Sequence, residues 1–469
     1  MTKQLLSTTL LRSIAIQGLP EGFWFKLDAK IPVEWDNGNF PFSSRAYLLL
    51  AGVLVFVVPA ATAGGLYIGE FGQPNMGASR AGAQALAEDA STAWQNPAGI
   101  TFLDQKKSMA AALIVDSKTK FDQELPASAE PPAVADLAGN RPASNGGDAG
   151  GPALGGGFFH ANPVNDKWGW GVSLASISAA VMEYDDPKDF SGRYYATQVN
   201  LFTATVLPAV SYRVTDNFGL GLGIPLMYAE LELDVAIPGP AAGSPEGKAE
   251  VEDGDDFVVG VSASALWQVN DNLRVGVLYQ SETKLDFDSN LELTLPAGVG
   301  PENVKSSVEF TYPQTIRMSA TQELTDSVTL LAGLAWEDWS VFDKLLISTP
   351  VGGGDLPREW DDTWHMSLGL RWRRNPIWTH YAGVSYDTDP TNAQDRTADM
   401  PIDEQWRYSV GTTFHRDNGH SINASLTYAD YGEAKIDNSG TRPGSGAAWT
   451  LTGDYSSNRL IFLGLSYGW

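Results

Sequence analysis

Gly464-Leu465-Ser466-Tyr467-Gly468 has the G-x-S-x-G spacing of a nucleophile elbow, the sharpest candidate for covalent chemistry in the chain. Such an elbow needs a strand–turn–helix around the serine, with acid and histidine partners further on. Only Trp469 follows, so the match is accidental. There is no phosphate-cradling G-x-x-x-x-G-K-[ST] run and no H-E-x-x-H pair. With no cysteine and five histidines, neither a thiolate metal site nor a lipase-type Ser–His pairing can be assembled from the motifs. The acidic run Glu250-Val-Glu-Asp-Gly-Asp-Asp256 lacks EF-hand spacing. It reads as a solvated loop in preference to a Ca²⁺ site or a divalent bridge to lipopolysaccharide. No catalytic residue, metal site or cofactor is expected, and the chain does not read as an enzyme.

A second chemically capable set is charged and periodic. Arg274, Glu282, Lys284 and Asp286 share one parity, against Leu273, Val275, Val277, Tyr279 and Leu285. Arg371 and Arg373 alternate with Leu370 and Trp372, and Arg407 with Trp406 and Tyr408. Successive side chains of a strand point to opposite faces, so one face is apolar and aromatic and the other polar. If the apolar face meets lipid, the charges face a lumen, because on the lipid face each would cost ~2–4 kcal/mol at the midplane. They then form either a lattice of ion pairs or a stepping path for an anionic headgroup.

The elements that position these residues follow from the turns. Short polar turns fall at 163–167, 215–217, 270–272, 325–327, 374–376 and 417–419. Between them lie longer Gly/Pro/Asp-rich stretches at 125–151, 238–256, 296–305 and 350–359. Short turns on one side and long loops on the other are the pattern of an outer-membrane barrel with periplasmic turns. Six turns join seven hairpins, which predicts an all-β fold: a 14-stranded antiparallel transmembrane β-barrel over residues 106–469. Fifteen Trp and sixteen Tyr suit two interfacial girdles. The last residues alternate Ile461, Leu463, Leu465, Tyr467 and Trp469 against Phe462, Gly464, Ser466 and Gly468. A final strand with terminal aromatics resembles the signal by which barrel assembly machinery recognises its clients.

The formal net charge of −25 excludes nucleic acid as a partner. The apolar run from Ala46 to Ala63, behind Arg45 and ending in Ala61-Thr62-Ala63, has the parts of an export signal over residues 45–63. It is shorter than the ~20 residues of a spanning helix. Residues 1–44 precede it as an atypical extension, consistent with a start assigned too far upstream.

Residues 64–105 do not alternate and are rich in Gly and Ala, as a segment folded inside the barrel would be. The stretch Glu88-Asp-Ala-Ser-Thr-Ala-Trp-Gln-Asn-Pro-Ala98 resembles the N-terminal hatch of the FadL family of outer-membrane transporters. Leu278–Phe287, Ala335–Lys344, Trp378–Pro390 and Asp395-Arg396 are similar to later segments of that family, in the same order. The resemblance implies fourteen strands, a hatch that plugs the lumen, and a monomer in the outer membrane. It implies passive movement of long-chain fatty acids or neutral and aromatic hydrocarbons, with escape sideways into the membrane near a kinked strand. It places Asn96, Pro97 and Ala98 against that kink. Partners would be the hydrophobic cargo and the surrounding lipid and lipopolysaccharide. One departure stands out: residues 214–247 hold no Lys or Arg but do hold Glu230, Glu232 and Asp234. That predicts repulsion of an anionic headgroup, and a cargo that is either a neutral hydrophobe or a different lipid. The competing reading is a general porin for small polar solutes, which needs an open lumen.

Overall fold

The computed structural model describes residues 68–124, 144–239, 245–295, 299–349, 352–441 and 448–469. The export signal at 45–63 and the extension at 1–44 lie outside the described residues. Fourteen antiparallel strands close into one barrel. They are β1 (Lys107–Gln123), β2 (Pro152–Pro163), β3 (Trp168–Glu183), β4 (Gln198–Thr215), β5 (Phe218–Gly223 and Leu226–Ile237), β6 (Gly247–Val259 and Ser262–Asn270) and β7 (Leu273–Gln280 and Thr283–Leu295). The wall continues through β8 (Val299–Tyr312 and Thr315–Thr325), β9 (Val328–Glu337 and Lys344–Thr349) and β10 (Gly352–Pro357 and Thr363–Arg373). It ends with β11 (Trp378–Asp387), β12 (Gln405–His415), β13 (Ser421–Asp430 and Ile436–Thr441) and β14 (Ala448–Gly468). Each strand pairs with its chain neighbours, and β14 returns to β1 from Met109↔Gly468 to Gln123↔Gly453. A closed ladder leaves no edge to satisfy inside lipid.

All six short turns fall where the polar residues placed them, and side chains close several of them. Asn165, Asn270 and Asn375 each accept two backbone N–H bonds from the residues two and three places on. Asx side chains do this because their carbonyl reaches its own backbone without strain. The predicted loops at 238–256, 296–305 and 350–359 are largely strand instead: β6, β8 and β10 each begin inside them. The acidic run 250–256 therefore lies on β6, not in a solvated loop.

The outer surface carries an apolar band with aromatic rims. Trp168, Trp372, Trp378 and Trp469 stand exposed near the short turns, and Trp364, Trp406 and Tyr428 near the opposite limit. Inward residues at the same level are small or polar, among them Gly276, Ser319, Ser367, Gly369, Gly383, Ser409 and Gly411. Above the band the pattern inverts. Leu285, Phe287, Leu291, Val308 and Phe310 point inward and are buried, while their neighbours are polar and face out.

Candidate functional site

Residues 68–103 sit within the barrel as an irregular chain with a one-turn helix at Thr92–Gln95 and 3₁₀ turns at Pro74–Ala78 and Pro97–Phe102. Nearly all of this segment is buried. Inward glycines let its backbone lie directly on the wall. A Cβ on Gly276 would meet the Gln84 carbonyl oxygen at 1.9 Å, and one on Gly383 would meet Ala78 backbone at 2.3 Å. On Gly221 it would meet the Ala98 nitrogen at 2.4 Å. The alternating glycines of the inner parity are thus explained by close approach of a second chain layer.

Charges then pin the segment. Arg371 pairs with Glu88, and its other nitrogen donates to Thr329 at 2.8 Å. Arg373, half-exposed at the turn, stands 3.7 Å from the same carboxylate. Arg274 donates to the Leu86 carbonyl at 2.8 Å and to Gln268 at 2.6 Å. Arg407 pairs with Asp387, lies 3.8 Å from Glu70 and donates to Gln405 and Tyr431. These four predicted lumen cations are brought to the inner segment or the inner wall.

Glu282, Lys284 and Asp286 are not. All three are exposed, and Lys284 forms a surface ion pair with Glu309. The reason is a two-residue break at Ser281-Glu282, between the halves of β7. Gly276 and Leu278 are buried before it and Leu285 and Phe287 after it, so the inward parity changes by one residue. A one-residue slip exchanges the faces of every later side chain. The same change occurs in β8 across Pro313-Gln314, with Phe310 and Tyr312 buried above and Thr315 and Arg317 below.

Asn96, Pro97 and Ala98 lie against β4, β5 and β6. Asn96 caps the 3₁₀ turn through its Oδ1 and donates its amide to the carbonyls of Gln84 at 2.6 Å and Ala265 at 3.0 Å. The Ala98 nitrogen donates to the Ser264 hydroxyl at 3.0 Å, and its carbonyl accepts from Ser211 at 3.1 Å. The strand break beside them is Ile224-Pro225 in β5, where a proline cannot donate to the ladder.

A second irregularity interrupts the wall itself. β2 pairs with β1 up to Asp116↔Pro152, but with β3 only from Pro163↔Gly169 to Gly157↔Ala175. β3 runs on to Glu183 bonded to β4, with a bulge between Ser176 and Ala179. The seam closes again where Glu183 N–H donates to the Ala149 carbonyl at 3.2 Å. Between these points Pro152–Gly156 and the end of β3 are not paired to each other. On the neighbouring strand this level corresponds to Ala112 and Ile114, within the outward apolar band.

Above the inner segment the lumen is an apolar bowl. Val199, Leu201, Met227, Leu231, Phe287 and Val308 belong to one buried cluster with Phe71 and Trp94 of the inner segment and Phe159 and Ala175 of the paired β2–β3 ladder that borders the open seam. Its far wall is aromatic: Phe310–Phe342, Trp339–Trp360 and Phe342–Trp360 ring centroids are 4.9, 5.2 and 5.1 Å apart. A cleft at its floor is lined by Trp339, Trp360, Ile402, Arg80 and Arg407, with Glu337 and Asp387 beside them. Glu230, Glu232 and Asp234, by contrast, alternate with the inward Leu231 and Leu233 and face out of the barrel. The expected repulsion of an anionic cargo therefore has no basis in the lumen.

Extracellular segments fold over the bowl, and sequence reasoning missed the cations that hold them. Arg358 is fully buried and bidentate to Asp399 at 2.6 and 3.3 Å. Arg193, equally buried, pairs with Glu246 at 2.7 Å. Both lie in irregular stretches with no periodicity to single them out. Arg396, in the Asp395-Arg396 pair that carries part of the family resemblance, binds Asp389 at 2.6 Å and the Ile402 carbonyl at 2.8 Å.

A closed fourteen-strand barrel with an apolar outer band and a lumen occupied by its own N-terminal segment defines an outer-membrane protein of the plugged-channel class. The chain belongs to the family of outer membrane protein transport proteins (OMPP1/FadL/TodX), whose model matches residues 54–467. It is 23% identical over 415 residues to a long-chain fatty acid transport protein of Salmonella typhi, covering 82% of this chain and 92% of that one. It is 24% identical over 415 residues to outer membrane protein P1 of Haemophilus influenzae, covering 81% and 89%. In structure it is similar to a Pseudomonas aeruginosa FadL homologue (TM-score 0.78, 21% identity, 86% and 99% covered). The toluene transporter TodX of P. putida shares the fold at a TM-score of 0.63 and 16% identity, covering 85% and 98%.

Proposed function

We propose that this protein carries hydrophobic molecules passively into the cell: capture in the apolar bowl, passage beside the inner segment, and exit sideways between β2 and β3. The observation that carries the route is the interrupted seam above Gly157↔Ala175, at the level of the lipid-facing band and continuous with the bowl's buried cluster. Burial of apolar surface supplies the driving force, at about 25 cal/mol per Å², and no coupled energy source is needed. The related proteins named for long-chain fatty acid and toluene transport support this cargo class. The aromatic side of the cleft, Trp339 and Trp360, suits an acyl chain or a hydrocarbon alike, and Arg80 and Arg407 there stand beside Glu337 and Asp387, so the cleft selects for apolar surface and not for a headgroup charge.

Gly155 tests the route. It borders the seam, and a Cβ there meets nothing nearer than Leu113 at 3.8 Å, so a side chain can be started there without a backbone clash, and Gly155→Trp adds bulk at the opening. Uptake of a labelled long-chain fatty acid should fall several-fold at matched barrel levels. Unchanged uptake with Gly155→Trp would reject lateral exit at this seam. A porin would instead respond in its conductance to small polar solutes.

A further inference from the structure

The outer face carries a basic site that the transport route does not use. On β1 the outward residues run Ala110, Ala112 and Ile114, then Asp116, Lys118 and Lys120. On β14 they run Trp469, Tyr467, Leu465, Leu463 and Ile461, then Arg459. The two series meet in register, so that Lys118 stands directly opposite Arg459. Like charges directly opposite on one face of a sheet are destabilising. Among the described residues neither has an ion pair. Lys120 has Asp148 at 3.9 Å, and Asp430, opposite Arg459 on the other side, caps the Gly432 backbone instead. Asp116 and Asp122 on β1 and Asp430 on β13 share this face, but among the described residues none of them reaches ion-pairing distance of Lys118 or Arg459, which leaves the two adjacent cations open to an anion from outside.

The height of the pair says which anion. Arg459 follows the last apolar outward residue, Ile461, by two positions, roughly 7 Å along the strand. That is headgroup level for a lipid whose chains lie on Ile114, Ile461 and Leu463. The outward face of β5–β7 at comparable height is acidic, with Glu230, Glu232, Asp286 and Asp288, so the basic patch is confined to one flank. We propose that Lys118, Arg459 and Lys120 form a binding site for a phosphate of an outer-leaflet glycolipid, with its acyl chains on the apolar band below. Charge-assisted contacts from Lys and Arg to phosphate are short and strong, and Arg offers a planar fork for them.

The inference is independent of the transport reading. The purified full chain would be incubated with lipid A carrying both phosphates, or with the same lipid enzymatically dephosphorylated. Retained lipid is then counted by native mass spectrometry. Lys118→Glu with Arg459→Glu should cut retention of the phosphorylated lipid about tenfold or more. Heat-modifiable mobility checks that the barrel is closed. If the reversed pair fails to assemble, Lys118→Gln with Arg459→Gln replaces it, with a loss of about threefold expected. Lys284→Glu, a surface cation on the acidic flank, should change nothing. Equal retention by the variants, equal binding of the dephosphorylated lipid, or an equal loss in Lys284→Glu would each overturn the proposal.

Discussion

The carboxylate of Glu88, in the segment folded inside the barrel, pairs with Arg371 on the inner face of β10, joining residues 283 positions apart. Burial pushes the Glu88 carboxyl up, but Arg371, Arg373 and Arg274 outweigh it and hold the carboxyl below its ordinary value. A carboxylate depressed in the folded state contributes stability above its unfolded pKa of ~4.3. That contribution is lost as pH falls through the folded value. Anchoring of the inner segment should therefore be constant from neutral pH to about pH 5 and weaken below ~4. Glu88→Gln should weaken it at every pH by ~1–3 kcal/mol, since it removes the charged acceptor from buried Arg371. Single-channel recordings in planar bilayers check this. The parent should gain ion conductance only in acid, and the variant should conduct more at neutral pH and show a smaller acid-dependent gain.

Lys284 and Leu285 test the change of face in β7. The chain has no cysteine, so single replacements report without background. Lys284→Cys should react with a membrane-impermeant maleimide on intact cells, and Leu285→Cys should not. The reverse result would restore the uninterrupted alternation.

That pair also marks the limit of what the sequence discloses. From Thr363 to Arg373 the alternation is unbroken, and both the exposed Trp372 and the buried Arg371 follow from period two alone. In β8 Pro313 announces a break; in β7 Ser281-Glu282 carries no proline or glycine, so the alternation in the sequence runs straight through it. Strand count and turn positions were legible because polar turn residues have a local mechanism. Glu88, Arg193 and Arg358 were not, because their partners lie far away in the chain and no period leads to them. The outward placement of Glu230, Glu232 and Asp234 follows from the parity of Leu231 and Leu233, a signal that the sequence does carry.

At the seam that closes the barrel, Ser108 and Trp469 exchange backbone hydrogen bonds, 2.7 Å from Ser108 N–H and 2.9 Å from Trp469 N–H. Trp469 and Tyr467 stack at 5.7 Å on the outer surface. Deleting Gly468 and Trp469 removes these bonds and the aromatic end of the last strand together. The expected outcome is unassembled protein in the periplasm, read as loss of the heat-modifiable band from outer-membrane fractions. Normal amounts of that band would show that closure and recognition reside elsewhere.

Asn96 and Pro97 bear on transport more directly. The Asn96 amide joins two layers, the inner segment at Gln84 and the wall at Ala265, and does so where Gly276 has no side chain to intervene. Pro97 fixes φ at the start of the 3₁₀ turn that leads through Phe102 toward β1. Asn96→Ala with Pro97→Ala removes one buried donor and the stiff position beside it, but none of the wall's own ladder bonds. Barrel assembly should be retained, because stability resides in that closed ladder. What should change is the course of the chain from Trp94, which packs in the same cluster as Phe159 and Ala175, the paired residues that border the open seam. We therefore expect uptake of a labelled long-chain fatty acid to fall several-fold at matched barrel levels, with toluene uptake falling in parallel. Ion conductance should rise only modestly while Glu88 and Glu70 still hold the segment to Arg371 and Arg407. A large conductance gain with uptake unchanged would mean that this segment serves only as a plug, and that the cargo path does not pass beside it.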